Sequence, residues 1–304
     1  MLIENIHRLT ARWWFRVIAF AGLSNVLIIP LLLYTSHLKN EIGYQYVYSI
    51  LTESTVLFIL IGLSILIEVL RGRGKWFSFG ILFDKWAFKD VGMGAVLNLF
   101  FTFTIFIFAT IFSAYSDVTN LAKSDIFIYL SLIIFIEAII EEILFRGIIF
   151  QAVLERYGIT IAILLNSILF GLGHLANPSI NFYAIINIIL AGVLFSGMYI
   201  KTKSLWMPIS FHFFWNWFSA LIGSPVSGID FNISITNISW LELPAWLFGG
   251  SFGLEGGFFA TILLFISGFI TLKYSNVSPY LASILFERRY YESLILNKLK
   301  IDNG

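Results

Sequence analysis

The chain has 304 residues, of which 59% are hydrophobic and only 12% are charged, and its mean hydropathy is +0.88. Soluble domains are about half apolar and about a quarter charged, so this composition excludes an ordinary soluble domain. A net charge of +1 without a concentrated basic patch gives no indication of a nucleic-acid partner. The absence of cysteine excludes a disulfide framework, a cysteine-ligated metal and a thiol nucleophile.

Apolar stretches of about 20 residues, the length that an α-helix needs to cross a bilayer, follow one another along the chain. They predict an all-α fold: a polytopic bundle of about eight transmembrane helices in contact with the lipid bilayer. In chain order, the predicted spans are 14–36, 46–70, 91–114, 125–154, 158–176, 181–200, 205–223 and 254–272.

Lys and Arg residues are concentrated in every second loop between these spans. If the N-terminus is cytoplasmic, the loops on the inside hold nearly all of them, and the outside loops hold only Lys39 and Lys123. This bias predicts a multi-pass protein of the cytoplasmic (inner) membrane with both termini in the cytoplasm. The segment 224–250 lacks Lys and Arg and is predicted to form a partly structured extracellular cap.

Three ionisable residues, Glu141, Glu142 and Arg146, interrupt the fourth predicted span, and Glu137 precedes them by one turn. Ionisable groups at bilayer depth are costly, so they are expected to pair, to face a cavity or to take part in chemistry. Residues four apart share a helix face, which predicts a Glu142–Arg146 pair and places Glu137 and Glu141 on a second face. A glutamate on that second face suits a general base; a polar clamp between helices is the alternative.

Two further clusters each place a histidine in an apolar span. His174 ends the segment 170–174, with Asn166 two turns earlier on about the same face, and His212 stands one turn before Asn216. A lone buried histidine is usually part of a core, but two histidines on separate helices beside a glutamate pair suit hydrolysis. An imidazole and a carboxamide can both donate hydrogen bonds to a developing oxyanion. Two histidines and a glutamate can equally hold Zn²⁺ with an open coordination position.

These clusters, in this order on the spans of a polytopic chain, resemble the three motifs of a known family of intramembrane proteases. It is the CAAX-prenyl-endopeptidase type 2, or CPBP (Abi, bacteriocin-processing), family. The matching motifs are Glu141-Glu142-x-x-x-Arg146, Phe170-x-x-x-His174 and His212-x-x-x-Asn216. The sequences at 204–209 and 249–257 also resemble those of bacterial family members. The resemblance covers roughly residues 75–275. It implies a protease core over 75–275. The sequence pattern outside that range predicts an N-terminal pair of spans over 1–74 and a cytoplasmic amphipathic tail over 276–304, with a solvated tail helix as the alternative.

The resemblance implies hydrolysis of a peptide bond within the membrane, in a cavity open to the cytoplasm. The implied substrate is a membrane-associated peptide or a lipidated protein, cut near its C-terminus or in its leader. In the implied mechanism Glu141 activates water with the help of His174, while His212 and Asn216 stabilise the oxyanion. The implied supporting residues are Glu142, Arg146 and Glu137.

The resemblance leaves the cofactor open between none and zinc, and any metal would be held by Glu141, His174 and His212. It also leaves open a bacteriocin self-immunity or scaffold protein with little or no catalysis. A proton-coupled transporter is a further alternative, because intramembrane Glu and His residues also form proton relays. The lack of a detectable internal repeat weakens the transporter hypothesis.

The depths of the motif residues conflict with one another if every predicted span is a straight helix. A fourth span that runs to Arg156 places Glu141 about 22 Å from its inner end, whereas His212 lies only about 10 Å past Leu205. We therefore expect a tilted helix, or a re-entrant start of the seventh span near Pro208, to bring the motifs together.

Overall fold

A computed structural model of the chain describes residues 2–39, 45–71, 78–112, 124–231, 233–236, 238–274, 276 and 278. These residues are mainly α-helical, and the β-structure among them is an isolated bridge between Val226 and Ile229. The predicted all-α fold is confirmed. The helices are α1 Leu2–Ala11, α2 Trp13–Lys39, α3 Gln45–Leu70, α4 Lys85–Phe112, α5 Ser124–Arg146, α6 Ile148–Gly173, α7 Phe182–Thr202, α8 Trp206–Leu221, α9 Ala245–Phe248 and α10 Phe258–Lys273.

Helices α2, α3, α4 and α7 are each long and apolar enough to cross a membrane. Large apolar side chains cover their outer faces, including the exposed Val26, Phe58 and Phe100. Apolar surface of this extent requires an apolar surrounding, so the chain is a membrane protein. Helices α8 and α10 have 16 residues each, which is shorter than the roughly 20 residues of a full crossing. The number of crossings and their orientation remain predictions.

The fourth predicted span, 125–154, is wrong as a single helix. Helix α5 ends at Arg146 and α6 begins at Ile148. Gly147 separates them with a non-helical ψ of −126°, and a Cβ at this position would lie 2.2 Å from the carbonyl oxygen of Ile143. Apolar residues continue on both sides of the glycine, so hydropathy did not reveal the break.

Helix α6 has an interruption of its own at Gly158, where φ is +80°. Glycine adopts this left-handed conformation without the steric cost that a Cβ brings. The second part of α6 therefore begins where the fifth span was predicted to begin, and it ends just before His174.

The break at Gly147 removes the conflict between the depths of the motif residues. Glu141 lies five residues before the end of α5, about 8 Å along the helix axis. His212 lies six residues after Trp206, the first residue of α8, which is about 9 Å. The last turns of α5 lie beside the first turns of α8, since Glu142 contacts His212. A long tilted helix is not needed, and Pro208 lies in the first turn of an ordinary helix.

Helix α8 is held between α4 on one side and α5 on the other, while α7 packs against α6 and α10. Helices α2 and α3 pack against α6 and α5, so the N-terminal pair supports the helices that carry the first two motifs. The predicted domain boundaries at 74 and 275 remain predictions. Within the tail 276–304, only Asn276 and Ser278 belong to the described residues, and the predicted amphipathic helix lies outside them.

The segment 224–257 is folded onto the bundle, and its apolar side chains enter the main core. Trp240, Phe248 and Phe252 are buried in the same cluster as residues of α4, α7 and α8. The prediction of a partly structured segment is confirmed; its extracellular position remains a prediction.

Candidate active site

Glu142 and Arg146 form a fully buried ion pair, as the spacing of four residues predicted. Arg146 Nη1 lies 3.0 Å from Glu142 Oε1, and both side chains have no exposed surface. The guanidinium is surrounded by aromatic rings, with its carbon 4.3 Å from the ring centre of Phe170, 5.1 Å from Phe195 and 5.7 Å from Phe145. These cation–π contacts stabilise a charge that has lost its water.

His212 contacts the same carboxylate oxygen as Arg146 does. Its Nδ1 lies 3.0 Å from Glu142 Oε1. A carboxylate only accepts hydrogen bonds, so Nδ1 carries a hydrogen and donates it. The ring also stacks on Phe195 at a centroid distance of 5.2 Å. Glu142 thus fixes the orientation of the imidazole and turns Nε2 towards Glu141.

His174 is fixed in a similar way by the helix that it caps. Its Nδ1 lies 2.8 Å from the carbonyl oxygen of Phe170, one turn earlier on α6. A carbonyl oxygen also only accepts, so Nδ1 of His174 carries a hydrogen. Both histidines therefore have a committed Nδ1 and a free Nε2.

Both free Nε2 atoms lie near Oε2 of Glu141. The distance is 3.7 Å from His174 and 3.9 Å from His212. These distances exceed a direct hydrogen bond, so neither imidazole is hydrogen-bonded to Glu141. Oε2 of Glu141 is buried and makes no hydrogen bond within the described part of the chain. We call Glu141, Glu142, Arg146, His174 and His212 the motif cluster.

A cavity opens beside the motif cluster. His174 and His212 form part of its wall. The cavity extends towards the segment 224–257, which the charge bias places outside, whereas the resemblance implied an opening to the cytoplasm. The other wall residues are the apolar Phe170, Ile188, Ala191, Phe195, Phe211, Trp215, Ala260 and Leu264 and the polar Asn187, Ser227 and Glu255.

The two remaining predicted site residues, Asn216 and Glu137, each lie one turn from a residue of the motif cluster. Asn216 is half-buried one turn after His212, and no hydrogen bond joins it to another described residue. It is not part of the cavity wall. Glu137 is partly buried one turn before Glu141 on α5.

Asn166 has a positioning role that its sequence position only partly indicated. Its amide donates a hydrogen bond to the carbonyl oxygen of Phe145 and accepts one from Ser196 at 3.3 Å. The last carbonyls of a helix lack partners within it, and α5 ends abruptly at Arg146. Asn166 therefore satisfies the end of α5 and ties it to α6 and α7.

Glu255 is a cavity residue to which the sequence assigned no role. It lies in the turn Leu254–Gly256 before α10, so the predicted start of the last span at 254 was too early. Its carboxylate accepts hydrogen bonds from Ser227 N at 2.8 Å and Trp215 Nε1 at 3.3 Å. Burial raises the pKa of Glu255 to about 7. The sequence signal that could have identified Glu255 is an acidic residue between two Gly-Gly pairs in a segment with few charges.

The assignment of Glu141, His174 and His212 as ligands of any metal remains a prediction, and their contacts are a few tenths of an ångström longer than in a tetrahedral zinc site. Tetrahedral zinc with bonds of about 2.0–2.2 Å brings its ligand atoms to about 3.4 Å from one another. The contacts here are 3.7 Å and 3.9 Å. Across the described ranges, no group of three or more His, Asp or Glu side chains is arranged to hold a metal ion.

Two comparisons relate part of the chain to known peptidases. Residues 123–218 match a family model described as type II CAAX prenyl endopeptidase Rce1-like, and this range contains all three motifs. A Bacillus subtilis (strain 168) protein named "Putative membrane peptidase YdiL" is 34% identical over 84 residues. The resemblance to the CPBP family is confirmed. That match covers 28% of this chain and 32% of the relative, so the chain spans about a third of the length of the relative that it matches. No solved structure matches the chain.

The family model covers the part of the CPBP-like chain that builds the motif cluster. It begins just before α5 and ends within α8. The part of the cavity wall that 224–257 and α10 contribute lies outside the matched range.

Proposed function

We propose that this CPBP-like chain is an intramembrane endopeptidase. It would hydrolyse a peptide bond near the C-terminus or in the leader of a membrane-associated peptide or lipidated protein. The observation that carries this proposal is the position of Glu141 Oε2, which is buried, lacks a hydrogen bond and lies 3.7 Å and 3.9 Å from two imidazole nitrogens. The descriptions of the matched family and of the relative, which both name peptidases, support it.

The proposed reaction begins with a water molecule in the gap between these three atoms. The water donates one hydrogen to Glu141 Oε2 and the other to Nε2 of His174, which accepts because Nδ1 carries the hydrogen. As the water oxygen bonds to the peptide carbonyl carbon, Glu141 takes its proton as the general base. Glu141 then returns that proton to the departing amine nitrogen, and the C–N bond breaks.

His212 and Asn216 are proposed to stabilise the negative oxygen of the tetrahedral intermediate. Since Nδ1 of His212 is committed to Glu142, Nε2 can donate to this oxygen only when the ring is doubly protonated. The Glu142 carboxylate lies where it stabilises such a charged ring. The Asn216 amide is neutral and can donate without a proton transfer, provided that a bound substrate reaches it.

The test of the proposed function uses purified protein in proteoliposomes with a library of membrane-associated peptides, and mass spectrometry detects the products. We expect cleavage by the natural protein and none by a correctly inserted Glu141→Gln variant. A proton-flux measurement on the same vesicles separates the alternatives. Flux without cleavage would identify a transporter, and neither activity would favour an immunity or scaffold protein.

The proposal includes a multi-pass location in the bacterial cytoplasmic membrane with both termini inside. Because the chain has no cysteine, single cysteines can report the side of the membrane. Phe83 and Leu241 are both exposed and are predicted to lie inside and outside, respectively. A membrane-impermeant thiol reagent added to intact cells should label Leu241→Cys and spare Phe83→Cys; the opposite pattern would invert the proposed orientation.

A further inference from the structure

Glu255 is a carboxylate in the wall of the cavity that also holds His174 and His212. The proposed hydrolysis does not use it. Its hydrogen bonds to Trp215 and Ser227 come from an indole N–H, a backbone N–H and a hydroxyl at 3.5 Å. All of these donors are neutral, so they orient the carboxylate without neutralising it.

No ion pair to Glu255 is present within the described residues, and the cationic side chains of the motif cluster are engaged elsewhere. Buried carboxylates are normally paired with a cation, because an unpaired charge in an apolar surrounding is costly. Glu142 shows the usual solution in this protein, since it contacts both Arg146 and His212. Glu255 has no such partner among the described residues, and the cavity lies in front of it.

The rest of the cavity wall is largely apolar. Its apolar residues include Ile188 and Phe195 of α7, Phe211 of α8 and Leu264 of α10. A ligand that fits this wall has an apolar body, and it also brings a positive charge to Glu255. A peptide with a lysine or arginine beside apolar residues has both properties.

We propose that Glu255 is a specificity-determining residue that selects peptides with a basic side chain close to the scissile bond. This inference rests on the proposed peptidase function and adds a substrate class to it. Trp215 follows His212 by three residues on α8 and donates to Glu255. The selecting carboxylate is therefore fixed to the helix that carries a motif histidine.

The test compares apolar peptides that differ at one position only, where they carry either lysine or norleucine. Norleucine keeps the aliphatic stem of lysine and lacks the charge. The position is moved along the peptide, because the cleaved bond is unidentified. Cleavage rates are measured with the natural protein in proteoliposomes, and equilibrium binding is measured with Glu141→Gln protein, which does not turn the peptides over.

At the best position, we expect the lysine peptide to be preferred by roughly ten- to a hundredfold, the size of a hydrogen bond between charged groups. Glu255→Gln should reduce this ratio to about one, because the amide still accepts from Trp215 and Ser227 but has no charge. Norleucine peptides should still be cleaved by Glu255→Gln protein, which shows that the variant is folded and active. Glu242→Gln, which removes an exposed acid of the same segment, should leave the ratio as it is.

An unchanged lysine preference in Glu255→Gln protein, or the absence of any preference in the natural protein, would overturn the assignment. Cleavage without charge selection would reject the role of Glu255 and leave the peptidase proposal standing. Charge-selective binding that depends on Glu255, without cleavage of any peptide, would reject the peptidase proposal and support the role of Glu255.

Discussion

Two clusters of carboxylates and cationic side chains in this protein differ in how completely their charges are paired. In the arginine cluster, Glu155 of α6 accepts two hydrogen bonds from Arg71, at 3.1 Å and 2.8 Å, and one from Arg16 at 2.5 Å. In the motif cluster, Glu141 Oε2 has two nitrogen atoms nearby and a hydrogen bond to neither. Saturated carboxylates hold helices together, whereas an unsaturated one beside a cavity has bonding capacity left for a water or a substrate.

A second contrast, in exposure and in ion pairing, exists between two consecutive residues of α5. Glu142 is fully buried and contacts Arg146 and His212, whereas the Glu141 side chain is 32% exposed and reaches the gap between two imidazoles. Their Cα atoms are rotated by about 100° around the helix, and this rotation separates a structural carboxylate from a reactive one. The following predictions test this division.

The largest effect is expected for Arg146→Ala, which leaves Glu142 buried with only His212 as a partner. Loss of one member of a buried pair costs about 3–5 kcal/mol, so the free energy of unfolding should fall by that amount. Thermal unfolding in detergent measures it. Arg156→Ala, at an exposed site on α6, is the matched control and should change the melting temperature little. Equal stability of the two variants would contradict a structural role of Arg146.

Replacing Glu141 and Glu142 in turn by glutamine should distinguish the roles of the two residues. Glu141→Gln should reduce turnover about a thousandfold, equivalent to about 4 kcal/mol of barrier, and leave the melting temperature unchanged. Glu142→Gln should lower the melting temperature, because it removes the charge that pairs with Arg146. Near-normal cleavage by a correctly inserted Glu141→Gln protein would contradict the assignment of Glu141 as the general base.

Asn216→Ala should reduce turnover about a hundred- to a thousandfold, the usual loss for one oxyanion donor. Substrate binding and the melting temperature should stay close to those of the natural protein, since no hydrogen bond joins Asn216 to the described residues. Steady-state kinetics that separate kcat from KM provide the measurement. A change confined to KM would show that Asn216 binds the substrate without stabilising the oxyanion.

The arginine cluster should respond in the opposite way to the motif cluster. Glu155→Gln weakens charged hydrogen bonds from Arg16 and Arg71, and we expect the free energy of unfolding to fall by about 2 kcal/mol. Turnover per folded molecule should stay constant, because Glu155 pairs with Arg16 and Arg71, which do not belong to the motif cluster. Selective loss of turnover in this variant would mean that the two clusters are functionally coupled.

The smallest effect is expected for chelators, which should leave the activity of the purified enzyme nearly unchanged if the mechanism uses only protein groups and water. Inductively coupled plasma mass spectrometry of active protein provides the complementary measurement. Stoichiometric zinc that is lost together with activity in His212→Ala protein, and restored by added metal, would reassign Glu141, His174 and His212 as ligands.

The sequence was most informative where the relevant contact is local. The pair Glu142–Arg146 follows from helix geometry alone, and the apolar runs located most of the long helices. The break at Gly147 was missed, because a single glycine between apolar residues does not alter hydropathy. The contact between Glu142 and His212 depends on how α5 and α8 are placed beside each other, which no pattern within either helix determines. Glu255 was missed for the same reason, since only the fold brings it to the cavity.

Because the connection at Gly147 is short, the number of residues between the first two motifs determines how far apart they lie in space. Only Gly147 lies between the end of α5 and the start of α6, and Asn166 of α6 is hydrogen-bonded to the Phe145 carbonyl of α5. His174 lies at the end of α6, so the number of residues between Gly158 and His174 sets the position of His174 along the helix axis and the direction of its side chain. One inserted residue would turn His174 by about 100° and move it by about 1.5 Å along the axis, which would take Nε2 away from Glu141. A single-residue insertion in this apolar helix would therefore be as damaging to the motif cluster as the loss of the histidine itself.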